Sequence, residues 1–268
     1  MIGVFDSGVG GLTVLRGFLQ NHPEYDYIYL GDNANVPYGN KSMETIYNYT
    51  VKAVDFLYKQ NCKLIIIACN SASAQALRRI QQEYLPLKYP NLKVLGVIRP
   101  IAEEIARLER IKRVGIIGTK ATINSDVYGK EIRNFKDDLE VFQKATPLLV
   151  PLIEEGWLKK PETKMILKKY LRYFKTKRVQ ALVLACTHYP FLLKEIKRIM
   201  GKSCYILDTE QIISDSLFIY LNRHPELKIE KKLNPQLKFY ATDNAKKFQE
   251  LGEFFLGREI SNIKEIKL

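Results

Sequence analysis

Residues 62–73 read CKLIIIACNSAS and residues 179–190 read VQALVLACTHYP, each an apolar run rich in Ile, Val and Leu that ends in Ala-Cys and a polar triplet. A short unbroken run of this kind, closed by small and polar residues, is the pattern of a parallel strand buried on both faces. A second pair lies upstream at a similar shift, IGVFDSG at 2–8 and VGIIGTK at 114–120, each a strand running into a small or hydroxyl-bearing loop. The halves of the chain therefore echo each other. The expected fold class is α/β, with two similar lobes of mainly parallel sheet flanked by helices, related by a pseudo-twofold axis, and an active site in the interlobe cleft.

Outward from these anchors, strands are expected at 2–5, 27–30, 64–68, 94–97, 114–117, 139–144, 182–185 and 204–207. Helical periodicity fills the gaps, for example at 11–19, 42–59, 72–84, 191–200, 210–222 and 245–256. The first lobe is expected to comprise residues 1–96 and 209–268 and to carry Cys69; the second, 97–208, carries Cys186. The 268 residues suffice for one large core or two smaller ones. No apolar run approaches the ~20 residues of a membrane-spanning helix. The opening MIGVFDSGVGG lacks the charged and apolar regions of a secretory leader, so a cytoplasmic location is expected.

The formal charge of +13 raises the question of a polyanionic partner. Residues 159–178 hold nine of the basic side chains, but Thr163, Leu167, Tyr170, Leu171 and Phe174 form an apolar stripe opposite Lys164, Lys168, Arg172 and Lys175. That is an amphipathic helix with a solvated basic face. No motif for specific nucleic-acid recognition accompanies it.

In an open α/β sheet, ligands bind beyond the carboxyl ends of the strands. The polar residues collect there: Asp6-Ser7-Gly8-Val9-Gly10-Gly11, Gly31-Asp32-Asn33 followed by Pro37-Tyr38-Gly39, Cys69-Asn70-Ser71, Gly118-Thr119 with Thr122, and Cys186-Thr187-His188. Five loops bearing hydroxyls, amides and backbone donors suit a small anion. The glycine loop matches neither the P-loop nor the dinucleotide fingerprint, since Thr13 stands where the third glycine would fall, so a nucleotide is not expected.

Four cysteines without a C-x-x-C pair or a histidine at zinc spacing argue against a disulfide framework or a structural metal. Cys62 and Cys204 begin apolar strands and read as packing residues, whereas Cys69 and Cys186 both follow Ala at a strand end. His22 and His224 precede Pro in apparent turns and read as surface residues. His188 lies two positions from Cys186. Two thiols facing each other across a cleft suit inversion of a carbon stereocentre: one as thiolate removes a proton from one face, and the other as thiol supplies a proton to the opposite face. Asp6 toward Cys69 and His188 toward Cys186 are expected to tune or orient the sulfurs.

The segments DSGVGG at 6, GDNANVPYG at 31, ACNSAS at 68, GTKATINSDVY at 118, VPLIEEG at 150 and CTHYP at 186, taken in this order, resemble the cofactor-independent aspartate/glutamate racemase family. The resemblance implies catalysis by Cys69 and Cys186 without cofactor or metal. It implies substrate contacts from Asp6, Ser7, Tyr38, Gly39, Asn70, Ser71, Thr187 and His188, with Asp32 and Glu154 as further acidic positions. CTH favours the glutamate racemases, since the aspartate racemases more commonly place Glu after Cys-Thr. The expected reaction is reversible conversion of L-glutamate to D-glutamate for peptidoglycan synthesis and cell shape, by a homodimer that needs no nucleic acid or membrane. Two departures stand out: Ser71 replaces the more frequent Thr, and Arg99-Pro100-Ile101 replaces a context ending in Pro-Gly. The alternatives are racemisation of another small acid, a noncatalytic two-lobed anion-binding module, or a basic nucleic-acid-binding protein, for which steeply salt-sensitive, sequence-selective binding would be needed.

Overall fold

The computed structural model describes residues 1–268. Ten strands form: β1 (Ile2–Asp6), β2 (Tyr27–Gly31), β3 (Leu64–Ile67), β4 (Lys93–Gly96), β5 (Arg113–Gly118), β6 (Glu140–Ala145), β7 (Ala181–Ala185), β8 (Tyr205–Ile206), β9 (Leu237–Ala241) and β10 (Ile263–Glu265). They make two sheets, in the orders β10-β9-β2-β1-β3-β4 and β6-β5-β7-β8. Every pairing is parallel. Within the first sheet the run β4-β3-β1-β2 has the same order as β8-β7-β5-β6, so the echo in the sequence is an echo of topology. The mixed α/β architecture with two parallel sheets agrees with the expected fold class.

Because all strands are parallel, the loops after β1, β2 and β3 leave one edge of the first sheet, and those after β5 and β7 leave one edge of the second. The two sides of the first sheet bury different residues, as a two-residue side-chain period requires. Ile2, Val4, Tyr27, Tyr29, Leu64 and Ile66 belong to one apolar cluster. Phe5, Ile28, Leu30, Ile65 and Ile67 belong to another, with Val54 and Leu57 of the helix Met43–Lys59.

The first cluster does not stop at the first sheet. It continues through the helices Leu12–Asn21, Ile98–Arg107 and Thr209–Arg223 into Val114, Ile116 and Leu182 of the second sheet. The helix Thr209–Arg223 packs on both of the other two helices, and Arg16 holds Glu210 through its Nε and Nη2.

The structure departs from the sequence reading in three places. β9 and β10 extend the first sheet where no strand was expected. The helix expected at 72–84 begins at Asn70, is interrupted at Ala76, and contains a π-helical turn over Ile80–Tyr84. His22 is buried, stacked on Phe218 with its Nε2 3.2 Å from the Ser214 carbonyl oxygen, because the Thr209–Arg223 helix covers the turn that precedes Pro23. The amphipathic reading of 159–178 agrees with the helix Pro161–Thr176, which buries Thr163, Leu167, Leu171 and Phe174.

Candidate active site

The carboxyl ends of the two sheets enclose a cleft of about 680 Å³, including space open to solvent. Ser7, Tyr38, Gly39, Cys69, Asn70 and Ser71 line it from the first-sheet side; Thr119, Glu154, Cys186, Thr187 and His188 line it from the second. Asp6, Asp32 and Thr122 stand behind this lining, each almost wholly buried. Sequence reasoning did not single out Val36, Asn40, Lys120, Pro147, Val150 or Pro151, which also line the cleft. The signal for Lys120 was its place in the GTK triplet directly after Thr119. No group of three His, Cys, Asp or Glu side chains comes together in a way that could hold a metal ion.

Cys69 sits at a helix start. Its backbone is extended and its Sγ accepts the amide N–H of Ala72 at 3.5 Å, which is the N-cap role that starts the helix Asn70–Gln75. The thiol donates to Ser7 Oγ at 3.5 Å. Burial, reinforced by the nearby charge of Asp6, pushes the Cys69 thiol up to about 12. Asp6 does not hydrogen-bond to the sulfur. It accepts the Gly8 amide at 3.0 Å and the Thr187 hydroxyl at 3.4 Å. Burial raises its carboxyl, against the opposing effect of His188 and the amides of Gly8 and Gly11.

Cys186 has a different neighbour. Its Sγ lies 3.8 Å from His188 Nδ1, and His188 Nε2 lies 2.9 Å from Glu154 Oε1. Burial works against the imidazolium, but the hydrogen bonds and charges of Cys186 and Glu154 outweigh it and push His188 up to about 10. A positive ring beside a sulfur stabilises negative charge on that sulfur.

The loops that leave the two sheets also touch each other. Thr13 Oγ1 donates to the Thr187 carbonyl at 3.0 Å, and Ser71 Oγ meets Thr119 Oγ1 at 2.9 Å. A Cβ on Gly10 would fall on Thr187 Oγ1 and the His188 ring, so only glycine lets these two loops approach. Thr119 caps the helix Lys120–Asn124 by accepting the Thr122 amide at 3.2 Å, which leaves Thr122 behind it. Asp32 accepts hydrogen bonds from the Tyr38 phenol at 2.6 Å and the Thr242 hydroxyl at 2.8 Å, tying the wall residue Tyr38 to the end of β9.

The family model described as Asp/Glu/Hydantoin racemase matches residues 13–213. The chain belongs to that family. This amino-acid racemase is similar along its whole length to a curated glutamate racemase of Syntrophus aciditrophicus, 39% identical over 267 residues that cover 100% of this chain and 96% of the relative. The fold of the racemase superposes on the glutamate racemase isoform RacE1 of Bacillus anthracis with a TM-score of 0.93, at 30% identity, covering 100% of this chain and 97% of the other. A glutamate racemase of Francisella tularensis, solved in complex with D-glutamate, gives a TM-score of 0.89 at 37% identity, covering 99% of this chain and 96% of that one.

Proposed function

We propose that this racemase interconverts L- and D-glutamate by two-base proton transfer between Cys69 and Cys186. The observation that carries the reading is that both sulfurs line one cleft in unequal surroundings: Cys69 as a buried thiol capped by neutral donors, Cys186 beside a charged imidazole. In one direction the Cys186 thiolate takes the Cα proton, an S–H bond forming as the C–H bond breaks. The electron pair left on Cα spreads into the adjacent carboxylate. Cys69 then delivers its thiol proton to the opposite face, leaving a Cys69 thiolate and a Cys186 thiol. The other enantiomer runs the same steps in reverse.

The hydroxyls of Ser7, Ser71, Thr119 and Thr187 and the amide of Asn70 hold the substrate carboxylates, and the narrow cleft strengthens these contacts by excluding water. His188 meets Cys186 and is held in place by Glu154, so its ring is aimed at the sulfur. Asp6 acts through its charge and through Thr187, and Asp32 acts by anchoring Tyr38. Residues 1–96 with 209–268 form one lobe and 97–208 the other. The product supplies peptidoglycan synthesis in the cytoplasm, and the working assembly is a homodimer, readings supported by the family resemblance.

Incubation of the purified protein with L-glutamate in D2O, without additives, tests the reaction. Loss of optical rotation with deuterium at Cα is expected; unchanged rotation and no Cα deuterium would remove the proposal. A panel of small acidic amino acids measured in parallel tests the substrate.

A further inference from the structure

Among the contacts that tie the loop after β3 to the opposite lobe, the one made by Asn70 is to a buried phenol. Tyr128, on the helix Val127–Phe135, is 1% exposed, and its hydroxyl donates to Asn70 Oδ1 at 2.7 Å. This is the only hydrogen bond the phenol makes. Burial and the proximity of Cys186 raise its pKa far above the ordinary value, so the phenol keeps its proton and must donate it. Asn70 Oδ1 is the acceptor that it reaches. If the amide were flipped, the phenol proton would be left without a partner in the protein interior, an arrangement that folded proteins avoid.

Asn70 is also a wall residue of the cleft, next in sequence to Cys69. Its Nδ2 makes no hydrogen bond within the protein, yet it is not among the buried atoms left without partners. With Oδ1 committed to Tyr128, the amide has only its N–H groups left to offer. An asparagine free to rotate would offer either a carbonyl or an amino group to a ligand. One with its oxygen occupied offers only donors.

We propose that Tyr128 is a positioning residue that fixes the Asn70 side chain as a dedicated donor for a substrate carboxylate and so contributes to the selection of acidic amino acids. The inference rests on the glutamate reading above. Because Tyr128 and Asn70 belong to opposite lobes, the donor is correctly aimed only when the lobes are in register.

The test is a double-mutant cycle of Tyr128→Phe and Asn70→Ala, read as KM and kcat for both enantiomers and as the calorimetric Kd for D-glutamate. Y128F is expected to raise KM and Kd about tenfold, as one misdirected charge-assisted hydrogen bond would, with kcat changed less than about twofold. In the N70A background the same substitution should change Kd less than about twofold. An unchanged Kd in Y128F, a loss confined to kcat, or an equal rise in the N70A background would overturn the inference. Asn70→Asp keeps an acceptor for Tyr128 but turns an anionic oxygen to the cleft, and it should weaken D-glutamate binding more than Y128F does; undiminished binding by N70D would also overturn it. If the wild-type protein binds D-glutamate but fails to racemise it, the reaction proposed above falls while the Kd cycle still decides the role of Tyr128.

Discussion

The two sulfurs occupy corresponding places in the repeated topology, one after β3 and one after β7, but their surroundings are not copies. Cys69 caps a helix and meets only a serine hydroxyl and backbone amides, with a carboxylate near enough to disfavour its anion. Cys186 faces a histidine that is itself held by a glutamate. The proposed reaction needs one protonated and one ionised base at the start, and the two sulfurs meet different neighbours: a serine hydroxyl at Cys69 and a histidine at Cys186. The strand order is repeated; the group beside each thiol is not.

The strongest challenge to this comparison is replacement of the sulfurs themselves. Cys69→Ser and Cys186→Ser should each lower racemisation by about 10³-fold or more. Each should also retain Cα–deuterium exchange on a different enantiomer, because the remaining base can return a solvent proton to the face it serves. Exchange of the same enantiomer by both variants would break the two-sided assignment.

His188→Asn should cost about 10²-fold in kcat by removing the charge beside Cys186. The same substitution tests stability. A histidine raised from 6.5 to about 10 contributes stability that is fully present below pH 6.5 and lost as the pH climbs through 10. Unfolding of the wild type and H188N by denaturant should therefore differ at pH 6 and converge above pH 10.

Gly10→Ala forces apart the loops that carry Thr187 and His188, and a kcat loss of roughly tenfold is expected from displaced groups while the fold survives, as circular dichroism would report. Glu154→Gln removes one of the two groups that hold His188 up, so the alkaline limb of the rate profile should move to lower pH, with a severalfold loss at pH 8 that shrinks toward pH 6. The smallest effect belongs to Asp32→Asn, which weakens the anchor of Tyr38 and should raise KM about threefold at nearly constant kcat.

The buried strands and the residues that follow them were legible because parallel strands demand continuous apolar runs and ligands gather at their carboxyl ends. The eight strands around which the site is built fall within a residue or two of expectation. β9 and β10 escaped for physical reasons. LKFYA is short and mixes Lys with aromatic residues, and IKE has no apolar run, since an edge strand is covered on fewer sides. Cys69, Cys186 and His188 could be found from their positions after strands. The work of Glu154, Tyr128 and Thr242 could not, because each acts through a contact more than thirty residues away in sequence. Asp32 shows the same limit from the other direction: its position after a strand and the family resemblance suggested the site, but the fold places it behind Tyr38.

The apolar cluster that passes through the helices Leu12–Asn21, Ile98–Arg107 and Thr209–Arg223 fuses the interiors beneath the two sheets. Excising 97–208 would strip both pieces of a common seam and leave each with a sticky flank, so the halves should precipitate when produced separately. The intact chain should instead melt in one step, with equal calorimetric and van't Hoff enthalpies. Any opening of the catalytic mouth is then resisted by close-packed side chains that the two sheets hold in common.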